Sequence, residues 1–236
     1  MIFSHGGDYG DVVYSLMAVK YLCKAAKRKC CFYLWPGPRT RVVMTAAWAE
    51  GILPLLRAQP YIEHAAWRAT PLGLCIDHAQ RRFKQRGLNM ADQYSRYLVL
   101  PYSPDHGAWL KAKPNHVADV VIARSQRYNN PSFPWAAIYQ RYKDHAVFVG
   151  TPDEHAAFEL NVGQLPHYAT PTLLDAMNVI AGAKLFVGNQ SAPRAIAEGL
   201  KVPICVEQAV WPKDTYFERK YAWYDTPPPE GFPKVT

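Results

Sequence analysis

The 236-residue chain has no run of about 18 apolar residues, and no basic stretch followed by an apolar core stands at its start. The sequence therefore predicts neither a membrane-spanning helix nor an export signal, and a soluble, cytoplasmic protein is expected. Cysteine is scarce: Cys23, Cys30, Cys31, Cys75 and Cys205 are an odd number, with no CxxC spacing and no neighbouring histidine cluster. That excludes a zinc-ribbon type of site and predicts reduced, mostly buried thiols. Three further absences narrow the chemistry. There is no GxGxxG turn for a dinucleotide, no Gly-Lys-Ser/Thr ending of a P-loop, and no Asp-x-Asp pair to hold a divalent ion. Low-complexity sequence is confined to Pro227–Pro229.

What is present is positive charge and alternation. Lysine and arginine number 27 against 19 acids, a formal charge of +8, which favours an anionic ligand or partner. Met1 to Ser4 reads as a short strand, Asp11 to Ala26 as a helix with apolar residues at near-helical spacing, and Cys30 to Trp35 as a buried strand. A helical stretch is expected over Thr45 to Arg57, and "KAKPNH" (Lys111 to His116) reads as a linker. Beyond it, "ADVVIAR", "AVFVG", "KLFVGN" and "VPICVE" read as strands alternating with helices. Thr151-Pro152-Asp153-Glu154 carries a helix-start signature, and Thr170-Pro171 repeats its first half. The pattern predicts an α/β chain of two small Rossmann-like domains, 1–113 and 114–210, with parallel sheets facing across a cleft.

In such sheets ligands bind at the carboxyl ends of strands. The turns there are "HGGDYGD", "RSQRYNN", "VGTPDE" and "VGNQSAPRA". The first sets Asp8 and Asp11 where a pyrophosphate would have to approach, so it fits a turn that aims a carboxylate into a cleft. A helix-capping Asp11 with a solvated Asp8 is an equal alternative. In the last turn Arg194 lies in the first turn of a helix, against the helix dipole, and becomes a candidate phosphate clamp unless an internal ion pair holds it.

"GDYGDVVYSLMAVKYL", "AVFVGTPDEHAAFE" and "TLLDAMNVIAGAKLFVGNQSAPRAIAEGLKVPICV" resemble the heptosyltransferase-like glycosyltransferases of the GT-B fold. The resemblance implies metal-independent, inverting sugar transfer from a nucleotide-sugar, with no cofactor. Asp11 would be the base, with Asp8 as a second candidate. It implies donor contacts from Arg124, Ser125, Arg127, Gly150, Thr151, Glu154, Asn189, Gln190, Ser191 and Arg194. "NQSAPR" departs from the family's Asp-Thr-Gly-Leu-Ser-His, which leaves the donor's identity open. It also implies that 211–236 crosses back to the first domain.

For the acceptor, His5, Gly7 and the basic residues Arg81, Arg82, Lys84 and Arg86, interleaved with aromatics, are the candidates. Bacteriophages encode compact enzymes of this kind, some of which decorate hydroxymethylated pyrimidines in their own DNA, and the charge favours such a pyrimidine, in a bacterial host's cytoplasm, as the expected acceptor. A saccharide or lipopolysaccharide-type acceptor, and a module that binds nucleotide-sugars without catalysis, are the alternatives. An oxidoreductase is disfavoured by the missing glycine fingerprint.

Overall fold

A computed structural model of the chain describes residues 1–37, 43–77, 88–101, 107–209 and 214–234. The chain divides into two compact units, Met1–Lys111 with Thr172–Leu174, and Ala112–Pro171 with Asp175–Thr236. No helix among the described residues is long and apolar enough to cross a membrane.

The first unit holds β1 (Ile2–His5), α1 (Tyr9–Ala25), β2 (Cys30–Leu34), α2 (Ala46–Ala49), α3 (Leu53–Arg57), β3 (Ile62–Trp67), β4 (Leu74–Cys75) and α4 (Met90–Tyr97). Its strands are all parallel, in the order β3-β2-β1-β4. α1 is buried on all sides from Val12 to Val19 and again at Cys23, and packs against α4. The Trp109 indole donates to the Val13 carbonyl at 3.0 Å and ties the end of the unit to this helix. The helical stretch expected over 45–57 is two short helices, because Gly51 interrupts it and Pro54 fits only the start of a new one.

The second unit holds β5 (Val120–Ala123), α5 (Trp135–Tyr142), β6 (Ala146–Phe148), α6 (Pro152–Asn161), α7 (Leu173–Gly182, whose first two residues group with the first unit), β7 (Leu185–Asn189), α8 (Ala192–Leu200), β8 (Ile204–Glu207) and β9 (Ala222–Tyr224). The order is β6-β5-β7-β8-β9, again all parallel. β5, β7 and β8 are buried along their whole length, which is why they read as unbroken apolar runs. Val120, Ile122, Phe148, Phe158 and Val187 form part of the core beneath them. The linker residues dock on α7: Lys113 N–H donates to the Asn178 side chain at 3.0 Å and Asn115 N–H to the Asn178 carbonyl at 2.8 Å.

Two expectations change. α7 begins at Leu173, so Thr170 and Pro171 precede the helix instead of opening it. The described part of 211–236 belongs to the second unit, where β9 pairs with β8 and Trp223 and Phe232 pack on that unit's core.

Candidate functional site

In the first sheet the chain leaves β1 in one direction for β2 and β3 and returns on the other side of β1 as β4. The crevice at such a reversal is where open parallel sheets bind ligands. Residues His5 to Asp11 leave the end of β1, and Asp77 follows β4, whose continuation is tied to β1 by Ile76 N–H donating to the Ser4 carbonyl at 3.0 Å.

The glycines of this turn are required by close approach. A Cβ on Gly6 would run into the Gly37 backbone. One on Gly7 would lie 2.7 Å from the His5 ring and 3.1 Å from the Asp11 carboxylate. Asp8 takes the cap position of α1 in an extended conformation, yet its side chain makes no capping bond. Asp11 follows in the first turn. The positive end of the helix dipole favours both carboxylates without using them as caps.

His5 is 1% exposed. Its Nδ1 accepts the Gly7 N–H at 2.9 Å, so the ring proton sits on Nε2 and is donated to the Tyr94 hydroxyl at 2.7 Å. Burial lowers the His5 pKa to about 3, and the ring is neutral. Tyr94, fully buried on α4, has its pKa pushed well above the ordinary value by burial and then by the charges of Asp11 and Asp77. Its own proton is thus left to give, beside two carboxylates. The acceptor roles expected of His5 and Gly7 do not survive this geometry: both are buried, and the Gly7 N–H and both His5 nitrogens are engaged inside the unit. Asp77 and Tyr94 were missed from sequence. Tyr9, stacked on Trp48 at 4.2 Å, supplies an aromatic wall next to the acidic turn. Arg81, Arg82, Lys84 and Arg86 lie outside the described residues.

The second sheet reverses between β5 and β7. Here the expected donor residues mostly hold one another. Asn189, fully buried at the end of β7, accepts the Ser125 N–H at 3.0 Å. It also donates to the Ser125 and Arg127 carbonyls at 2.8 and 2.6 Å. The Arg124 guanidinium donates twice to Glu207 at 2.8 Å, and that buried carboxylate also accepts the Asn130 N–H at 2.8 Å. Gln190 accepts the Ala209 N–H at 2.9 Å. These bonds shape the loop after β5, where Arg127 is exposed. The half-buried Ser125 and, after β7, Ser191 turn their hydroxyls inward too, Ser125 onto Asn189 and the Arg127 carbonyl at 3.3 Å and Ser191 onto the Asn189 carbonyl at 3.2 Å. Ser191 precedes α8 without capping it by its side chain.

Thr151 and Glu154 form a reciprocal capping box on α6, at 3.2 and 2.9 Å, and the Gly150 carbonyl accepts from His167 at 2.9 Å. Both side chains therefore have a structural task. Arg194 is a correction. It is fully buried, donates to the Thr215 carbonyl at 2.6 Å and the Tyr224 hydroxyl at 2.9 Å, and stands 3.6 Å from Glu198 one helical turn on. Burial alone would raise the Glu198 pKa, but Arg194, Arg219 and Lys201 outweigh it and hold the carboxyl below its ordinary value. The anion that offsets the helix dipole at Arg194 is internal, and no bound phosphate is needed to explain it. Among the described residues no group of three or more His, Cys, Asp and Glu side chains is placed to hold a metal ion.

No family model matches the chain, and no curated protein matches it in sequence. Its structure is similar to that of a family 9 glycosyl transferase from Veillonella parvula, with a TM-score of 0.63 at 12% identity over 94% of this chain and 84% of that one. It is similar to E. coli heptosyltransferase WaaC with ADP, with a TM-score of 0.62 at 11% identity over 94% and 92%. For E. coli ADP-heptose lps heptosyltransferase II the score is 0.56 at 13% identity over 95% and 89%. At that identity the likeness concerns the fold, and the chain has the α/β, two-parallel-sheet-domain fold of GT-B glycosyltransferases.

Proposed function

We propose that the chain is a glycosyltransferase that moves a sugar from a nucleotide-sugar to an acceptor hydroxyl. The observation that carries this reading is the acidic turn of Asp8 and Asp11, with Asp77, at the β1/β4 reversal of a fold shared with solved heptosyltransferases. Displacement at an anomeric carbon needs a base for the incoming hydroxyl and stabilisation of the departing diphosphate. Asp11 takes the hydroxyl proton as the oxygen attacks, with Asp8 the second candidate, and the anomeric centre inverts. The buried His5–Tyr94 pair positions the carboxylates. Ser125, Ser191, Arg127 and nearby backbone amides meet the donor phosphates. The reaction uses no metal or resident cofactor, so transfer should persist in EDTA.

The net charge of +8 supports a polyanionic acceptor, a hydroxymethylated pyrimidine in DNA flipped out of the duplex, with action in the cytoplasm. The names of the structural neighbours favour a second reading, a lipopolysaccharide-type saccharide acceptor. Thermal-shift measurements with UDP-, GDP- and ADP-sugars identify the donor, since a ligand of the native state raises its stability. Mass spectrometry of a hydroxymethylcytosine oligonucleotide and of a lipopolysaccharide core, each incubated with that donor, then identifies the acceptor. A donor that binds while neither acceptor gains a hexose or heptose mass would mean a binding module.

A further inference from the structure

The far end of α1 from the acidic turn carries a second concentration of charge. Lys20, Lys24, Lys27, Arg28 and Lys29, with Cys23, Pro60 and Tyr61, line a cavity of 360 Å³. No acidic side chain lines it, and among the described residues none of the five cations is held in an ion pair. Lys20 donates to the Ala108 carbonyl at 2.6 Å, which fixes one wall. The turn that presents the others is locked: Lys27 N–H donates to the Lys24 carbonyl at 3.2 Å and Arg28 N–H to the Cys23 carbonyl at 3.1 Å. Lys27 sits there at a φ of 51°, where glycine is the easier residue. A cation thus occupies a strained position among four like charges, although one or two basic residues would match the helix dipole.

The apolar part of this surface is shallow and open: Pro60 is exposed, while Cys23 and Tyr61 lie largely buried beneath it. A membrane-docking surface needs large apolar side chains that protrude, and between residues 20 and 29 only Tyr21 is an exposed large one. A shallow apolar patch with a cationic rim instead suits a ligand that brings its own flat ring and its own phosphates. We infer that this surface is a docking site for a nucleic-acid strand, with phosphates on Lys24, Arg28 and Lys29 and one base resting on the exposed Pro60. The inference rests on the nucleic-acid reading of the acceptor and makes no use of the donor.

The test is fluorescence anisotropy with a labelled dT20 oligonucleotide between 50 and 300 mM salt, without nucleotide-sugar. The wild-type chain is expected to bind with a steep salt dependence. The triple variant Lys24→Glu, Arg28→Glu, Lys29→Glu is expected to bind at least tenfold more weakly at 100 mM salt, with the log–log slope flattened by about 2. The corresponding triple glutamine variant, which keeps the helix end neutral, is expected to lose affinity to an intermediate degree while its melting temperature stays near wild type. Equal binding by wild type and both variants would overturn this site and leave the acceptor reading standing. No binding of the oligonucleotide, with or without capture on phosphatidylglycerol vesicles, would overturn both.

Discussion

At the β1/β4 reversal the side chains that reach the strand ends are carboxylates around a neutral histidine and a tyrosine. At the β5/β7 reversal two of the three arginines expected to meet a ligand are turned inward, Arg124 onto Glu207 and Arg194 onto Glu198. The first sheet keeps charge at its rim and uses hydrogen bonds beneath to aim it. The second uses charge beneath to shape loops, ties the Ser125 and Ser191 hydroxyls to Asn189, and leaves Arg127 exposed at the rim. Basic residues near a phosphate-binding turn are therefore poor guides to recognition until their internal partners are known.

The largest effect that would break this comparison is on turnover. Asp11→Asn is expected to slow sugar transfer about 10²- to 10⁴-fold while the melting temperature stays within a few degrees. Steady-state rates of Asp11→Asn, Asp8→Asn and Asp77→Asn side by side decide the assignment: a greater loss from Asp8→Asn would move the base to Asp8, and one from Asp77→Asn to the turn after β4. Next comes stability in the second unit. Arg194→Met strips a partner from a buried carboxylate and is expected to cost about 3–5 kcal/mol in urea unfolding. A raised KM for the donor with unchanged stability would restore Arg194 as a phosphate ligand.

A pH dependence sharpens the first sheet's side. His5 is held neutral down to about pH 3, whereas in the unfolded chain it takes up a proton near 6.5. Its contribution is complete above about pH 6.5 and falls as pH drops toward 3, by about 1.4 kcal/mol per pH unit. His5→Gln should flatten that segment of the stability curve, and an unchanged slope would place the titration elsewhere. The smallest effect is expected from Thr151→Ala, about 1 kcal/mol from the lost cap on α6. Loss of donor affinity from that variant, with stability intact, would make Thr151 a ligand contact.

The strands and helices that were legible in sequence are those whose signals are local. β1, α1 and β2 follow from apolar spacing and a glycine turn, β5, β7 and β8 from apolar runs, and α6 from Thr151 and Glu154. β4 has two residues, too few for any periodicity, and Asp77 was missed with it. The His5–Tyr94 bond joins residues 89 positions apart, which no window along the chain can show. Arg194 is different, because Glu198 one helical turn later is a readable pairing signal that outweighs the dipole argument.

α1 is one unbroken helix of 17 residues, about 25 Å from end to end. Its opening turn holds Asp11 and its closing turn leads to the lysine-rimmed surface, so the helix fixes the distance between the two within one unit. A single nucleotide cannot span that distance; a strand stacked at 3.4 Å per nucleotide would need roughly eight to touch both ends at once.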